Sequence, residues 1–437
     1  MFDKLQGTSL DRRSFLRGST AMAAGVAATP GLALAGHCDV LLVTCMDYRL
    51  QNEIQAYMDG RGLRDEYDHI VLAGASLVGN RLILAYIVDG ETVAEVTELN
   101  GRRVGDVPVP GEGAASGFGG RSGDSETFFS FSSYTMPQTI YRYDVATGTT
   151  EIFAQPNLDF DPAAFVTRQV TYPSKDGTQI PLTIVERKDV QLSGKTAPTL
   201  LYGYGGFDIS ITPGFRPAWM AWLEQGGVLA IAGVRGGGEF GPAWHDAGRL
   251  LKKQNAFDDF IAAAEYLMAQ GVTGKGQLAV EGRSNGGLLV GAVVNQRPDL
   301  FAAALAEVGV LDMLRFDRFT AGRYWVEDYG DPAKEADFHN LYGYSPYHNI
   351  RSGVEYPAIL VATADTDDRV VPAHSFKYAA ALQAADIGGK PHLIRIDNGV
   401  GHGSGKPVDK AIEEYSDLYA FAARWTGLTI TDPSESH

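Results

Sequence analysis

Gly282-Arg283-Ser284-Asn285-Gly286 lies between the apolar run Leu278-Ala279-Val280 and the apolar stretch Leu288-Leu289-Val290. That order reads as a buried strand, a tight turn and a helix. A serine on such a turn carries its hydroxyl at the carboxyl edge of a sheet. Glycines flank it because a strained strand-to-helix turn leaves no room for side chains. The following helix aims its first amides at any oxyanion that forms beside the serine. A G-x-S-x-G string alone also fits an ordinary βα turn, so the rest of the chain decides between the two.

A nucleophilic serine needs a base, and the base needs an orienting acid. In α/β-hydrolases the acid and then the histidine follow the serine, each on a loop after a later strand. Tyr356-Pro357-Ala358-Ile359-Leu360-Val361 is an apolar run typical of a buried parallel strand, and it leads into Ala364-Asp365-Thr366-Asp367-Asp368-Arg369-Val370-Val371-Pro372. The next run, His392-Leu393-Ile394-Arg395-Ile396, feeds Gly401-His402-Gly403-Ser404-Gly405. An acidic loop and a glycine-flanked histidine therefore follow Ser284 in the required order. Phe257, Phe260, Ile261, Ala264 and Leu267 recur at helical spacing. Strand-like runs at Thr199-Leu200-Leu201, Val228-Leu229-Ala230-Ile231 and Ala303-Ala304-Leu305 alternate with such helices. The pattern predicts a doubly wound, mainly parallel α/β-hydrolase sheet.

Long strings then carry a family resemblance. Leu201-Tyr202-Gly203-Tyr204-Gly205-Gly206-Phe207, Arg235-Gly236-Gly237-Gly238-Glu239, Ser284-Asn285-Gly286-Gly287, Asp367-Asp368-Arg369-Val370-Val371-Pro372 and Gly401-His402-Gly403 through Lys406-Pro407 are similar to motifs of the prolyl oligopeptidase catalytic domain. Members of that family are serine peptidases that cleave after proline in short peptides. The resemblance implies Ser284 as nucleophile, His402 as general base and then acid, and Asp367 as the group orienting the imidazole. Asp365 and Asp368 are the neighbouring competitors for that last role. It also implies an oxyanion hole of the Asn285 backbone amide and the Tyr204 hydroxyl; Tyr204 alternatively reads as a core tyrosine.

A proline ring is compact and apolar, so its pocket calls for aromatic and aliphatic walls. The resemblance implies Phe207, Val310, Trp325, Tyr329 and Val370 for that pocket, with Trp325 stacking on the ring and Arg369 bonding a substrate carbonyl upstream. Oligopeptidase B, a relative with basic specificity, needs acidic groups there, and Glu327 is the nearby acidic candidate. Proline is the better expectation; a different residue before the cleaved bond is the alternative, as is an inactive truncated relic. No cofactor is expected.

The amino-terminal third reads differently. Asp11-Arg12-Arg13-Ser14-Phe15-Leu16-Arg17, with the apolar stretch to Leu34 and the small residues Ala33-Leu34-Ala35, resembles a twin-arginine export signal over residues 1–35. It implies a periplasmic enzyme, or a cytoplasmic one if the signal does not function. Gly25, Thr29, Pro30 and Gly31 break the stretch, which argues against a membrane anchor. Over residues 36–80, Asp39-Val40-Leu41-Leu42-Val43-Thr44 is strand-like and Cys45-Met46-Asp47-Tyr48-Arg49 resembles the first zinc-ligand motif of β-class carbonic anhydrases. No later His-x-x-Cys pair follows and Cys38 and Cys45 are the only cysteines, so no metal is expected. A metal-binding module remains the alternative from another class.

Residues 81–160 resemble the last part of the β-propeller that caps the family, with strands at 82–87 and 139–143 and a turn at Thr147-Gly148. Gly111 to Gly120 lacks a Gly-Lys-Ser/Thr ending and reads as a surface connection. Residues 161–437 form the expected hydrolase domain. With 37 Lys and Arg against 53 Asp and Glu, the net charge of −16 argues against nucleic acid or an anionic membrane as partner. The expected partners are short proline-containing peptides, met by a monomer.

Overall fold

The computed structural model describes residues 40–45, 67–72, 75–88, 91–403 and 405–431, and its chain divides into two compact units. The stretch expected to be an export signal lies outside the described residues, as does Cys38. The first unit comprises residues up to Asn157 together with Thr212–Gly214, and the second comprises Leu158–Ile211 and Phe215 onward.

In the first unit, β1 (Val40–Cys45) and β2 (Tyr67–Leu72) pair in parallel. Two four-stranded antiparallel sheets follow. One orders β3 (Ala75–Val78), β4 (Arg81–Val88), β5 (Glu91–Glu98) and β6 (Arg103–Asp106); the other orders β10 (Thr149–Ala154), β9 (Thr139–Asp144), β8 (Glu126–Ser132) and β7 (Ala114–Gly119). Alternate residues of β8 and β9 are buried, as expected of sheets with one face on a core. Val78, Ile83, Val96, Phe118, Phe129 and Tyr141 form that core, with Phe118 stacked on Phe129 at 4.9 Å. The eight strands are propeller-like.

Two expectations change here. The boundary expected at residue 80 runs through a hairpin, because β3 pairs with β4 across the Gly79-Asn80 turn. The glycine run at 111–120 contains β7, since its backbone pairs with β8 despite the missing side chains.

The second unit is built on an eight-stranded sheet. It contains β11 (Phe165–Pro173), β12 (Gln179–Arg187), β13 (Thr199–Gly203), β14 (Val228–Ala232), β15 (Leu278–Arg283), β16 (Ala303–Glu307), β17 (Ala358–Ala364) and β18 (His392–Asp397). Its order is β11-β12-β14-β13-β15-β16-β17-β18, antiparallel at the first two pairings and parallel from β14 to β18. Every residue of β13, β14, β16 and β17 is buried, which explains their uninterrupted apolar runs. The helix Gln254–Ala269 buries Phe257, Phe260, Ala264 and Leu267, as its spacing predicts. This is the doubly wound, mainly parallel α/β-hydrolase sheet expected from the sequence. The chain leaves β13 toward β14 on one side and continues with β15 on the other, so a crevice opens at the carboxyl ends of the central strands.

One charged pair braces the sheet from inside. Asp259, fully buried, accepts from the Arg235 backbone amide at 3.0 Å and from its guanidinium at 2.6 Å. The Ser174 hydroxyl adds a bond at 2.5 Å, and the Tyr172 hydroxyl donates to the Asp259 carbonyl at 2.9 Å. Asp176, half-exposed, holds the same guanidinium at 2.5 Å, so losing Asp259 leaves Arg235 one acid partner but takes the acceptor from its buried amide and from the Ser174 hydroxyl. Asp259→Ala should therefore cost about 2–4 kcal/mol in urea unfolding. The exposed ion-pair variant Asp299→Ala should cost no more than about 1 kcal/mol.

Candidate active site

Four strand ends converge on the crevice. Tyr204 follows β13, Ser284 follows β15, Asp367 lies beyond β17 and His402 beyond β18. Ser284 sits at φ 60°, ψ −116°, between β15 and the helix Asn285–Gln296. Such a backbone costs about 1–3 kcal/mol unless its surroundings impose it. Here the Ser284 amide donates to the Glu307 carbonyl at 2.8 Å, while its own carbonyl accepts from Gly287 at 2.9 Å. A Cβ on Gly282 would collide with the Gly286 carbonyl, and one on Gly286 would lie 2.6 Å from the Gly203 oxygen. The glycines flanking Ser284 are thus demanded by close backbone approach, as the sequence suggests.

Asp367 is fixed before it meets the histidine. Its Oδ1 accepts from the amides of Arg369 at 3.0 Å and Val370 at 2.9 Å, and its Oδ2 lies 2.6 Å from His402 Nδ1. The acid's side chain is wholly buried and that of the histidine partly exposed. The competing Asp365 is engaged elsewhere, accepting from the Gly399 amide at 2.7 Å. With the Thr366 hydroxyl donating to the Val400 carbonyl at 2.6 Å, it ties the acidic loop to the histidine loop.

Beside Ser284 lies a cavity of about 60 Å³, lined by Tyr204, Phe207, Ile209, Ser284, Val310, Trp325, Tyr329 and Arg369. Tyr204 and Ser284 share the lining, and burial pushes the Tyr204 hydroxyl up to about 12, so it stays protonated at neutral pH. Phe207 meets Tyr329 edge-on at 5.3 Å and Trp325 at 6.5 Å, so the aromatic walls hold one another. Val370 is buried but does not line the cavity; its amide serves Asp367 instead. Asn285 is buried behind the wall, where its side chain accepts from the Tyr329 hydroxyl at 2.9 Å and donates to the Tyr204 carbonyl. As the first residue of a helix, its amide has no intrahelical acceptor. Glu327 is exposed and outside the lining.

Several supporting residues escape sequence reasoning. Lys253 is buried, and burial lowers its ammonium below the usual lysine range. It donates to the Gly205 carbonyl at 2.8 Å and to Asn285 Oδ1 at 3.3 Å. Asp328, also buried, accepts from the Phe207 amide at 3.1 Å and lies 2.6 Å from His245 Nε2. Phe207 and Asp208 both have positive φ, 60° and 57°, a strained segment held down partly by that bond. Ile209 escapes sequence reasoning as well, and Glu239, though part of the Arg235 string, has no role legible there. The Glu239 carboxylate accepts from the Ile211 amide at 3.0 Å and so anchors the end of the segment carrying Phe207 and Ile209. No motif announces such partners, which come from remote elements. Among the described residues, no three His, Cys, Asp or Glu side chains gather as a metal-binding group, and no helix is long and apolar enough to cross a membrane. Of Cys45 only the strand backbone is described.

Comparison with known proteins gives the same direction. Residues 213–429 match the model described as Prolyl oligopeptidase family, and residues 60–156 match its N-terminal beta-propeller domain. The prolyl endopeptidase of Elizabethkingia meningoseptica is 46% identical over 352 residues, which are 80% of this chain and 50% of that protein. That of Dictyostelium discoideum is 40% identical over 366 residues, 82% of this chain and 48% of its own. Among solved structures, one from a study of two prolyl endopeptidases is 58% identical with a TM-score of 0.74, covering 83% of this chain and 52% of the other. Prolyl oligopeptidase B from Galerina marginata, solved with a 35-residue substrate, is 38% identical with a TM-score of 0.78, over 83% of this chain and 51% of its own. The chain spans about half the length of the curated relatives it matches.

Burial pushes the Glu239 carboxyl up to about 7 from an ordinary 4.5. A raised acid favours its protonated form in the fold, so its contribution is full below pH 4.5 and fades as pH rises through 7. Glu239→Gln should therefore melt higher than the parent above pH 7, with the gap closing below 4.5. Thermal unfolding across that range checks the sign.

Proposed function

Because the chain belongs to the prolyl oligopeptidase family, we propose that it is a serine peptidase hydrolysing short peptides on the carboxyl side of proline. The observation that carries this reading is the 2.6 Å Asp367–His402 bond in the same strand-end crevice as Ser284 and its aromatic cavity.

The chemistry follows from those positions. The Ser284 hydroxyl attacks the carbonyl carbon after proline while His402 takes its proton. Asp367, fixed by two backbone amides, holds Nδ1 and stabilises the imidazolium. The oxyanion receives bonds from the Tyr204 hydroxyl and the Asn285 amide, both stronger as its charge grows. His402 then protonates the departing amine, which leaves an acyl-enzyme. Water, deprotonated by His402, attacks the ester and regenerates the serine.

Proline sits between Phe207, Trp325 and Tyr329, with Val310 closing the apolar wall. Its ring needs no hydrogen-bond partner there, whereas a lysine or arginine would bury its charge without an acid on the lining. Arg369, also on the lining, receives the substrate carbonyl upstream. We further propose a monomer exported by the twin-arginine route.

A fluorophosphonate probe should label Ser284, and a chromogenic Gly-Pro substrate should be turned over. Ser284→Ala should abolish both, and turnover persisting in that variant would refute the assignment. A folded parent that takes no label would favour an inactive relic. Tyr204→Phe should lower kcat about a hundredfold or more, as loss of one oxyanion donor does. Export is tested by cell fractionation: Arg12→Lys with Arg13→Lys should hold the protein in the cytoplasm.

A further inference from the structure

Arg283, next to the proposed nucleophile, turns its guanidinium away from the cavity and across the back of the crevice. One nitrogen donates to Glu307 at 2.8 Å and lies 3.5 Å from Glu414. The other donates to the backbone carbonyl of His402 at 2.9 Å. Gly403 has φ +127°, and a Cβ there would lie 2.8 Å from that same nitrogen. The histidine loop therefore lies flat on the guanidinium, an approach that only glycine permits. Glu307 closes the circuit, because its carbonyl accepts the Ser284 amide at 2.8 Å while its carboxylate holds Arg283.

Glu307 and Glu414 are buried, and Lys406 anchors Glu414 at 2.6 Å and Asp397 at 2.5 Å. Asp397 ends β18, the strand that leads into the histidine loop. The guanidinium is thus clamped on one side by fixed carboxylates, and its free arm reaches the loop. A planar fork serves both directions at once, which an ammonium cannot.

We propose that Arg283 is a positioning residue that ties the His402 loop to the strand carrying Ser284 and so sets the reach of the imidazole. The function assigned to that reach rests on the peptidase reading above. Arg283 touches no substrate in this scheme; it acts through the His402 carbonyl. A small displacement of a catalytic group lowers turnover far more than binding, because the aromatic cavity is untouched.

Two variants test this on the full chain. Arg283→Lys keeps a positive charge among Glu307 and Glu414 but loses the fork. The double variant Arg283→Gln with Glu307→Gln removes both charges together, so no buried charge is stranded should the first fail to fold. Each should lower kcat on a Gly-Pro substrate about ten- to a hundredfold with KM changed less than about twofold. A second readout needs no turnover. In a Ser284→Ala background, the low-field proton resonance of His402 Nδ1 against Asp367 should be sharp with Arg283 and broadened in both variants. Full kcat and a sharp resonance in both would overturn the proposal. If the parent neither takes the fluorophosphonate label nor turns substrate over, the peptidase reading fails, and the resonance still decides whether Arg283 holds the loop.

Discussion

The site depends on the backbone at Ser284, a non-glycine residue held at φ 60°. That conformation persists because parallel pairing places Arg283 beside Glu307, which puts the Glu307 carbonyl within reach of the Ser284 amide. The strand β16 is buried along its whole length, so this carbonyl does not wander. From that fixed point the helix Asn285–Gln296 departs with its first amide over the crevice. Every other group is placed relative to this turn. Asp367 and His402 arrive from the next strands of the same sheet, which is why a set spread over more than a hundred residues can meet.

A second layer separates the pocket's shape from its chemistry. The aromatic walls Phe207, Trp325 and Tyr329 are apolar on the cavity side, yet polar groups behind them set their positions. Tyr329 donates to Asn285, whose side chain also receives Lys253. Phe207 hangs from Asp328 by its amide. These polar groups lie where water is scarce, so each bond is strong and each lost partner is costly. Lys253 and Asp328 are buried but absent from the cavity lining, so their charge stays off the cavity wall.

The sequence makes the strand ends legible because buried parallel strands are continuous apolar runs, and the loops after them stand out as polar. Asp367 over Asp365 is a different matter. Both lie in one short loop, and only the fold reveals that Asp365 is spent on the Gly399 amide. Val370, expected on the pocket lining, is buried outside it and gives its amide to Asp367. Lys253, Asp328 and Arg283 stay invisible for one reason. Their partners are backbone carbonyls, amides and acids far away in the chain, and no spacing rule encodes such meetings. The hairpin at Gly79-Asn80 is not legible because a fragment resembling another family runs up to it, while strand pairing obeys the cross-strand bonds alone.

The sheet also has a vulnerable side. β18 is one of its two edge strands, paired only with β17, and Leu393 and Ile396 on it are exposed. The imidazole hangs just past that border, whereas the serine stands on an interior strand. Fraying at a margin requires far less free energy than melting the interior. Against that tendency stand the bonds that pin the histidine loop to strands further in, from Arg283, Asp365 and Thr366, so the endurance of the site is lent to the margin by the interior.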